Sequence, residues 1–192
     1  MYIAIEGIDT AGKTTQITNL SKQFPNAIIT KEPGATSVGK KIREIVLNTE
    51  MQSKKGEFLL FLADRAEHIQ KVIQPNYKKN MIISDRSAIS GIAYALVQGE
   101  IETKDLIALN NFATNNIYPQ KVFLLYLTEK ELKYRLSQKQ LDGIELRGIS
   151  YLLKIQDALI KASKLLNIKL IKIDATQPIQ TITQEIVDNI SI

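Results

Sequence analysis

The stretch Gly7-Ile8-Asp9-Thr10-Ala11-Gly12-Lys13-Thr14 decides how this chain is read. Two glycines five apart let the backbone curl so that successive N–H groups point into one concavity. A helix that begins there turns its positive end towards the same point. Lys13 then reaches the β- and γ-phosphates of a nucleotide, and the Thr14 hydroxyl suits Mg2+. A glycine turn can match such a pattern by chance, so the context matters. Apolar Tyr2–Ile5 precedes the loop as a buried strand, and helix-forming Lys13–Phe24 follows it. Gly7, Ile8, Asp9, Thr10, Ala11, Gly12, Lys13 and Thr14 are therefore all candidate contacts of a nucleoside triphosphate.

The same alternation continues beyond the loop. Ala27–Thr30, Met81–Ser84, Lys121–Leu127 and Ile168–Ile173 read as further strands. Between them the spacing predicts helices over Ser37–Leu47, Gly56–Tyr77, Ala88–Val97, Lys104–Asn115, Glu129–Gln138 and Tyr151–Leu166, with a last one after Pro178. Strands alternating with helices call for a parallel sheet covered on both faces, here a three-layer α/β/α unit with five strands. No repeat or linker divides the chain, so residues 1–192 read as one domain. Ligands of such sheets sit at the carboxyl ends of the strands, which directs attention to the residues that follow each one.

Composition narrows the chemistry. The 192 residues contain no Cys and one His, His68. That excludes a disulfide scaffold, an iron–sulfur cluster, a Cys-ligated zinc and a thiol nucleophile, and it argues against a Ser-His-Asp triad. His68 is expected at the surface or the edge of the core. Lys and Arg exceed Asp and Glu by 25 to 20, an excess spread along the chain that suits a small polyanion. No basic block with interleaved aromatics points to nucleic acid. The longest apolar runs, Phe58–Ala63 and Val122–Leu127, are too short to span a bilayer. The first strand begins at Tyr2, which leaves no room for a targeting segment, so a cytoplasmic protein without a membrane partner is expected.

The third strand ends in Met81-Ile82-Ile83-Ser84-Asp85-Arg86. Asp85 stands where a carboxylate holds Mg2+ or its waters. Arg86 beside it can grip a second phosphate through its planar fork. Asp9, Glu32-Pro33-Gly34 and Arg43 converge on the same rim, which reads as a site for two phosphorylated molecules. A guanine-reading Asn-Lys-x-Asp is absent.

These residues together resemble the thymidylate kinase family, over essentially the whole length. Ile5–Gln16 is similar to its first strand and phosphate loop, and Lys31-Glu32-Pro33-Gly34-Ala35-Thr36 to its R-E-P-G-G-T. Leu60–Ala66 looks like its base-facing helix. Asp85-Arg86-Ser87 with Ser90 and Ala93-Tyr94 resembles D-R-Y-x-x-S-x-x-A-Y, and Leu141-Asp142-Gly143-Ile144-Glu145 resembles L-D-R-I-E. The resemblance implies a P-loop NTPase fold with a short lid at about 137–148, Mg·ATP as donor, dTMP as acceptor, and a step of dTTP biosynthesis. It further implies that Phe61 stacks on thymine and Arg65 donates to its O4, while Tyr94 packs under the sugar. Asp9 would contact the sugar 3′-OH or the phosphate region, Arg86 with Arg43 the acceptor phosphate, and Pro33 and Ser90 would complete the pocket. Lys13, Asp9, Arg86 and a lid cation would be the catalytic groups.

The chain departs from the family pattern at Lys31 and Ala35, at Thr10, which stands after Asp9 where the family's phosphate loop has an Arg, and in four further places. Gly143 replaces the lid Arg, Ser137-Gln138-Lys139-Gln140 replaces an Arg-rich run, Ser87 replaces Tyr, and Gly91 follows Ser90. Lys139 is the candidate lid cation, with Arg135 or Arg147 as substitutes; Asp142 and Glu145, three apart, suit a structural or a ligand role equally. The resemblance also implies a homodimer formed through helices, with Phe58–Ile73 and Ile89–Val97 as candidate faces. A kinase for another nucleotide or deoxynucleoside is the nearest alternative reading, and a P-loop switch or ATPase the next.

Overall fold

The computed structural model describes residues 1–138 and 145–191. Five strands, β1 (Tyr2–Glu6), β2 (Ile28–Lys31), β3 (Ile82–Asp85), β4 (Lys121–Tyr126) and β5 (Lys169–Asp174), form one sheet in the order β2-β3-β1-β4-β5, with every pairing parallel. The expected α/β architecture is therefore present. Alternation along the strands feeds two cores. Ile3, Ile5, Phe123 and Leu125 point to one side, where α1 (Lys13–Gln23) and α9 (Ile179–Ser191) contribute Leu20, Ile182 and Ile186. Ala4, Val122 and Leu124 point to the other. There they meet Phe58 and Leu62 of α3 (Lys54–His68), Ile89 and Ile92 of α5 (Ala88–Gln98), Leu106 of α6 (Thr103–Thr114) and Leu159 of α8 (Ile149–Leu165). Strands buried on both faces explain the continuous apolar runs in the sequence.

The register brings the functional ends together. β1 lies between β3 and β4, so the chain reverses its direction of travel across the sheet there, the position where such sheets open a crevice. Ile5 and Lys31 both stand opposite Asp85. The N–H of Glu32 donates to the Asp85 carbonyl at 2.9 Å and that of Arg86 to Ile5 at 3.0 Å. The residues that follow β1, β2 and β3 thus leave the sheet side by side.

The long helix expected over Gly56–Tyr77 is interrupted. After α3 the chain widens into a π-helical turn at Ile69–Ile73 and ends as α4 (Gln74–Asn76). The Gln74 N–H reaches back five residues to the Ile69 carbonyl. Pro75 lacks an N–H, and its ring would crowd the carbonyl four residues back, which a wider turn relieves. The apolar faces proposed for self-association are also placed differently from expectation. Phe58, Leu62, Ile69, Ile73, Ile89 and Ile92 are all buried within the chain itself. The exposed apolar side chains on this side are Leu59 of α3 with Leu109 and Phe112 of α6.

Candidate active site

The phosphate loop has the backbone its sequence demands. Gly7 sits at φ 152° and Gly12, which caps α1, at φ 96°; Thr10 between them is at φ 67°, a costly angle for a side chain with a branched Cβ. A Cβ on Gly7 would press on the Leu125 carbonyl oxygen at 3.0 Å, so β4 leaves room only for glycine. The buried Lys13 ammonium lies inside the loop, donating to the carbonyls of Gly7 and Ile8 at 3.0 Å each and standing 3.7 Å from Asp9. Burial, aided by Arg86, pushes its pKa down to about 8 against the pull of Asp9, Asp85 and Glu6. Thr14 faces out at the mouth of the loop.

Arg86 joins the same cluster from β3. Its Nη2 donates to Asp9 at 2.7 Å, while Nη1 donates to the Gly7 carbonyl and the Ser90 hydroxyl, both at 3.2 Å. Lys13 and Arg86 therefore share the Gly7 carbonyl oxygen and the Asp9 carboxylate. Arg86 itself is at φ 68°, the second non-glycine of the site in the left-handed region. Beneath lies Glu6, fully buried, accepting from Ser87 at 2.8 Å and Ser90 at 2.6 Å. Burial raises its pKa in spite of Arg86, the two hydroxyls and Lys13. Asp85 Oδ1 and the Tyr94 hydroxyl are buried without a hydrogen-bond partner among the described residues. Burial pushes the Tyr94 phenol up to about 12, with Arg86 opposing.

The unpartnered Asp85 carboxylate oxygen and the exposed Thr14 hydroxyl are hard oxygen donors of the kind a small divalent cation takes. No cluster of three or more His, Cys, Asp or Glu forms a self-contained metal site among the described residues. A cation here would be held by one or two protein oxygens and by phosphates.

A second group of buried polar contacts joins the turn after β2 to α3 and α6. That turn, Glu32-Pro33-Gly34, is gripped from two helices. Asp64 accepts the Gly34 N–H at 2.9 Å, and Arg43 of α2 (Ser37–Asn48) donates to the Pro33 carbonyl at 3.1 Å. Arg65 is almost entirely buried. Its Nε donates to Glu32 and its Nη1 to Asn110 of α6, each at 2.9 Å. His68 was expected near the surface and is instead fully buried, with Nδ1 2.9 Å from Glu32 and Nε2 2.7 Å from the Thr30 hydroxyl. Burial pushes the Glu32 carboxyl up, but Arg65 and His68 outweigh it and hold the pKa below its ordinary value. Phe61, one turn ahead of Arg65, is half-buried, as is Tyr94.

The thymidylate kinase family model matches residues 5–186. The chain belongs to the thymidylate kinase family. A curated thymidylate kinase from Sulfurimonas denitrificans is 72% identical over 192 residues, and one from Aliarcobacter butzleri 54%, each covering 100% of both chains. The crystal structure of thymidylate kinase from Ehrlichia chaffeensis matches with a TM-score of 0.74 at 26% identity, covering 100% of this chain and 98% of that one. Kinship of this kind does not favour a kinase for another nucleotide or a P-loop switch.

Against the thymidylate kinase pattern, the site candidates sort clearly. Lys13, Asp9, Arg86 and Ser90 are brought together directly, and Asp85, Thr14 and Tyr94 border them. Pro33 and Arg43 meet each other, while Phe61 and Arg65 share α3. Lys139, Asp142 and Gly143 lie outside the described residues. Arg135 of α7 (Glu129–Ser137) donates to Glu131 at 2.7 Å, to the Thr10 carbonyl at 3.0 Å and to the Ala175 carbonyl at 2.6 Å, which ties α7 to the phosphate loop. Arg147 donates to the Tyr151 hydroxyl at 3.0 Å. Sequence reasoning missed Glu6, Asn110 and the role of His68. A charged residue closing an otherwise apolar strand was the available signal for Glu6.

Proposed function

We propose a division of labour for the reaction this chain catalyses, transfer of the γ-phosphoryl group of ATP to dTMP to give dTDP and ADP. Lys13 and the N–H groups of Gly7–Thr14 hold the donor phosphates. Arg86, with Arg43, holds the acceptor phosphate, and Asp9 fixes Arg86 while facing the sugar or its phosphate. The observation that carries this reading is that Lys13 and Arg86 meet on the same Gly7 carbonyl and Asp9 carboxylate. Two cations so placed offset the repulsion that keeps two phosphates apart. The acceptor phosphate has a second pKa of about 6 and is largely dianionic at pH 7, so no general base is required. Catalysis then comes from alignment and charge neutralisation.

Mg2+ is our choice for the cation at Thr14 and Asp85, where it would neutralise charge on the β- and γ-phosphates when bound. For the group in flight we propose Lys139, since Arg135 and Arg147 already have partners. Closure of residues 137–148 would exclude water from that step. On the base side, Phe61 stacks on thymine and Tyr94 packs under the sugar, next to Pro33 and Ser90. Arg65 donates to O4, an acceptor that cytosine replaces with an amino group. A panel of nucleoside monophosphates assayed for ADP release, with Arg65→Ala beside the parent chain, tests this. A lost preference for dTMP over dCMP is expected, and an unchanged acceptor profile would remove Arg65 from the base site.

We further propose a homodimer built on α3 and α6, because Leu59 (55% exposed) and Phe112 (84% exposed) lie on these two packed helices. Sedimentation of Phe112→Glu should show monomer at concentrations where the parent chain is dimeric. No helix among the described residues is long and apolar enough to cross a membrane. We assign the enzyme to the cytoplasm, where both of its nucleotide substrates are found.

A further inference from the structure

The only histidine of the chain lies on α3, away from the phosphate loop in sequence, and stands at the centre of a buried polar relay. Thr30 and Glu32 leave the end of β2 two residues apart, so their side chains reach the same face of α3. His68 binds both, through Nε2 at 2.7 Å and Nδ1 at 2.9 Å. Glu32 uses one carboxylate oxygen for His68 and the other for Arg65 Nε, at 2.9 Å. A carboxylate held at both oxygens cannot turn, so the plane of the Arg65 guanidinium is set from below. Asn110, itself fastened to the Leu106 carbonyl at 2.7 Å, fixes the guanidinium from the side through Nη1. Gly91 closes the third side: a Cβ there would stand 2.9 Å from Nη2. What remains for a ligand is Nη2, the nitrogen taken by neither Glu32 nor Asn110.

We propose that His68 is a positioning residue for base recognition, acting through Glu32 on Arg65. The inference rests on the reading of Arg65 as the group that meets the base. A guanidinium has donors and no acceptor, so it favours a carbonyl and opposes an amino group. That opposition discriminates only if the guanidinium cannot swing aside, because a mobile side chain relieves the clash and accepts the wrong base. The Thr30–His68–Glu32 relay removes this freedom. Loosening it therefore weakens selectivity and dTMP binding, and it leaves the ATP side, built on other elements, untouched.

The test compares kcat and KM for dTMP, dCMP and ATP in Arg65→Ala, His68→Leu, His68→Asn and Thr30→Val. His68→Leu is expected to raise the KM for dTMP roughly tenfold, the size of one hydrogen bond to a charged group, and to narrow the dTMP:dCMP ratio. The KM for ATP should stay within about twofold, since no ATP contact is disturbed. His68→Asn restores a donor near the Nδ1 position and should recover most of the ratio. Thr30→Val, which keeps the shape and removes only the far end of the relay, should show a smaller shift of the same kind. Added to Arg65→Ala, it should change the ratio no further, as expected of residues that act in series. If His68→Leu does not fold, Thr30→Val and His68→Asn decide the matter. An unchanged ratio in Arg65→Ala would remove the base-reading role itself. A collapsed ratio in Arg65→Ala with an unchanged one in Thr30→Val and the His68 variants would overturn the relay alone. So would a parallel rise of both KM values.

Discussion

The two ends of the crevice are built on opposite principles. The phosphate end is a backbone device: eight contiguous residues, with Thr10 and Arg86 held at positive φ and with the Thr10 hydroxyl and Asp85 Oδ1 buried without hydrogen-bond partners among the described residues. Its cations lean on carbonyl oxygens and on Asp9. The base end is a side-chain device. Its polar groups come from the turn after β2, from α3 and from α6; the partners of Arg65 lie 33 and 45 residues away in the chain, and the groups satisfy one another before any ligand arrives. One end stores strain and unused polar capacity, which suits a ligand whose charge changes during reaction. The other is finished in advance, which suits a ligand that is only to be recognised.

Breaking the finished end should cost stability first. Glu32→Ala leaves the Arg65 guanidinium buried without its counter-charge, and His68 without its acceptor. A loss of roughly 3–5 kcal/mol of unfolding free energy is expected, read from urea or thermal unfolding. Lys13→Ala at the strained end should leave unfolding nearly unchanged, because burial already disfavours the Lys13 ammonium. It should instead lower kcat by about a hundredfold to a thousandfold in single-turnover assays, the usual effect of removing one group that meets developing charge. If Lys13→Ala unfolded the protein and Glu32→Ala only slowed it, the contrast drawn here would be inverted.

The same contrast explains what could be read from the sequence. The phosphate loop was legible because Gly7–Thr14 is contiguous and each residue's task follows from local backbone geometry. The five parallel strands followed from the alternation of strands with helices, but their order across the sheet came only from the structure. His68 was misplaced at the edge because its partners, Thr30 and Glu32, are 38 and 36 residues away and meet it only once β2 pairs with β3 and α3 packs over both. No periodicity within α3 carries that information. Glu6 drew no reading of its own for the same reason, since Ser90, which bonds it, lies 84 positions on. Gly91 stood out as a departure from the family pattern, but its meaning depends on the Arg65 guanidinium lying against it.

pH separates the ends further. With its pKa pushed down to about 8, Lys13 in the free enzyme loses its proton as the pH rises through that value. kcat/KM for ATP should therefore fall about tenfold per unit on the alkaline side, while kcat holds to higher pH because bound phosphates favour the ammonium. Stability moves the other way. Between about 8 and the ordinary lysine value of 10.5, the unfolded chain binds a proton that the folded chain has released, so this residue's contribution to stability rises with pH. Glu32 belongs to the acid arm. Its pKa is lowered on folding, so its contribution is complete above the unfolded carboxyl value of about 4.3 and is lost as the pH falls through the folded one. Activity lost in base without unfolding, and stability lost in acid, would mark the two devices separately.

The finest test is a single methyl group. Gly91 lies inside α5, where alanine is favoured over glycine by about 1 kcal/mol, so Gly91→Ala should hold or raise the melting temperature. Its Cβ would meet Arg65 Nη2 at 2.9 Å and Nη1 at 3.3 Å. The far end of an arginine ordinarily yields to such a contact. Here Glu32 and Asn110 hold it from the other sides, so the guanidinium must either strain those bonds or shift its Nη2 away from the base. The expected result is a rise of about threefold to tenfold in the KM for dTMP, with the KM for ATP unmoved, the scale of partly losing one hydrogen bond. An Arg65 that simply swings aside would leave both constants unchanged and would show that the base end is softer than its hydrogen bonds imply.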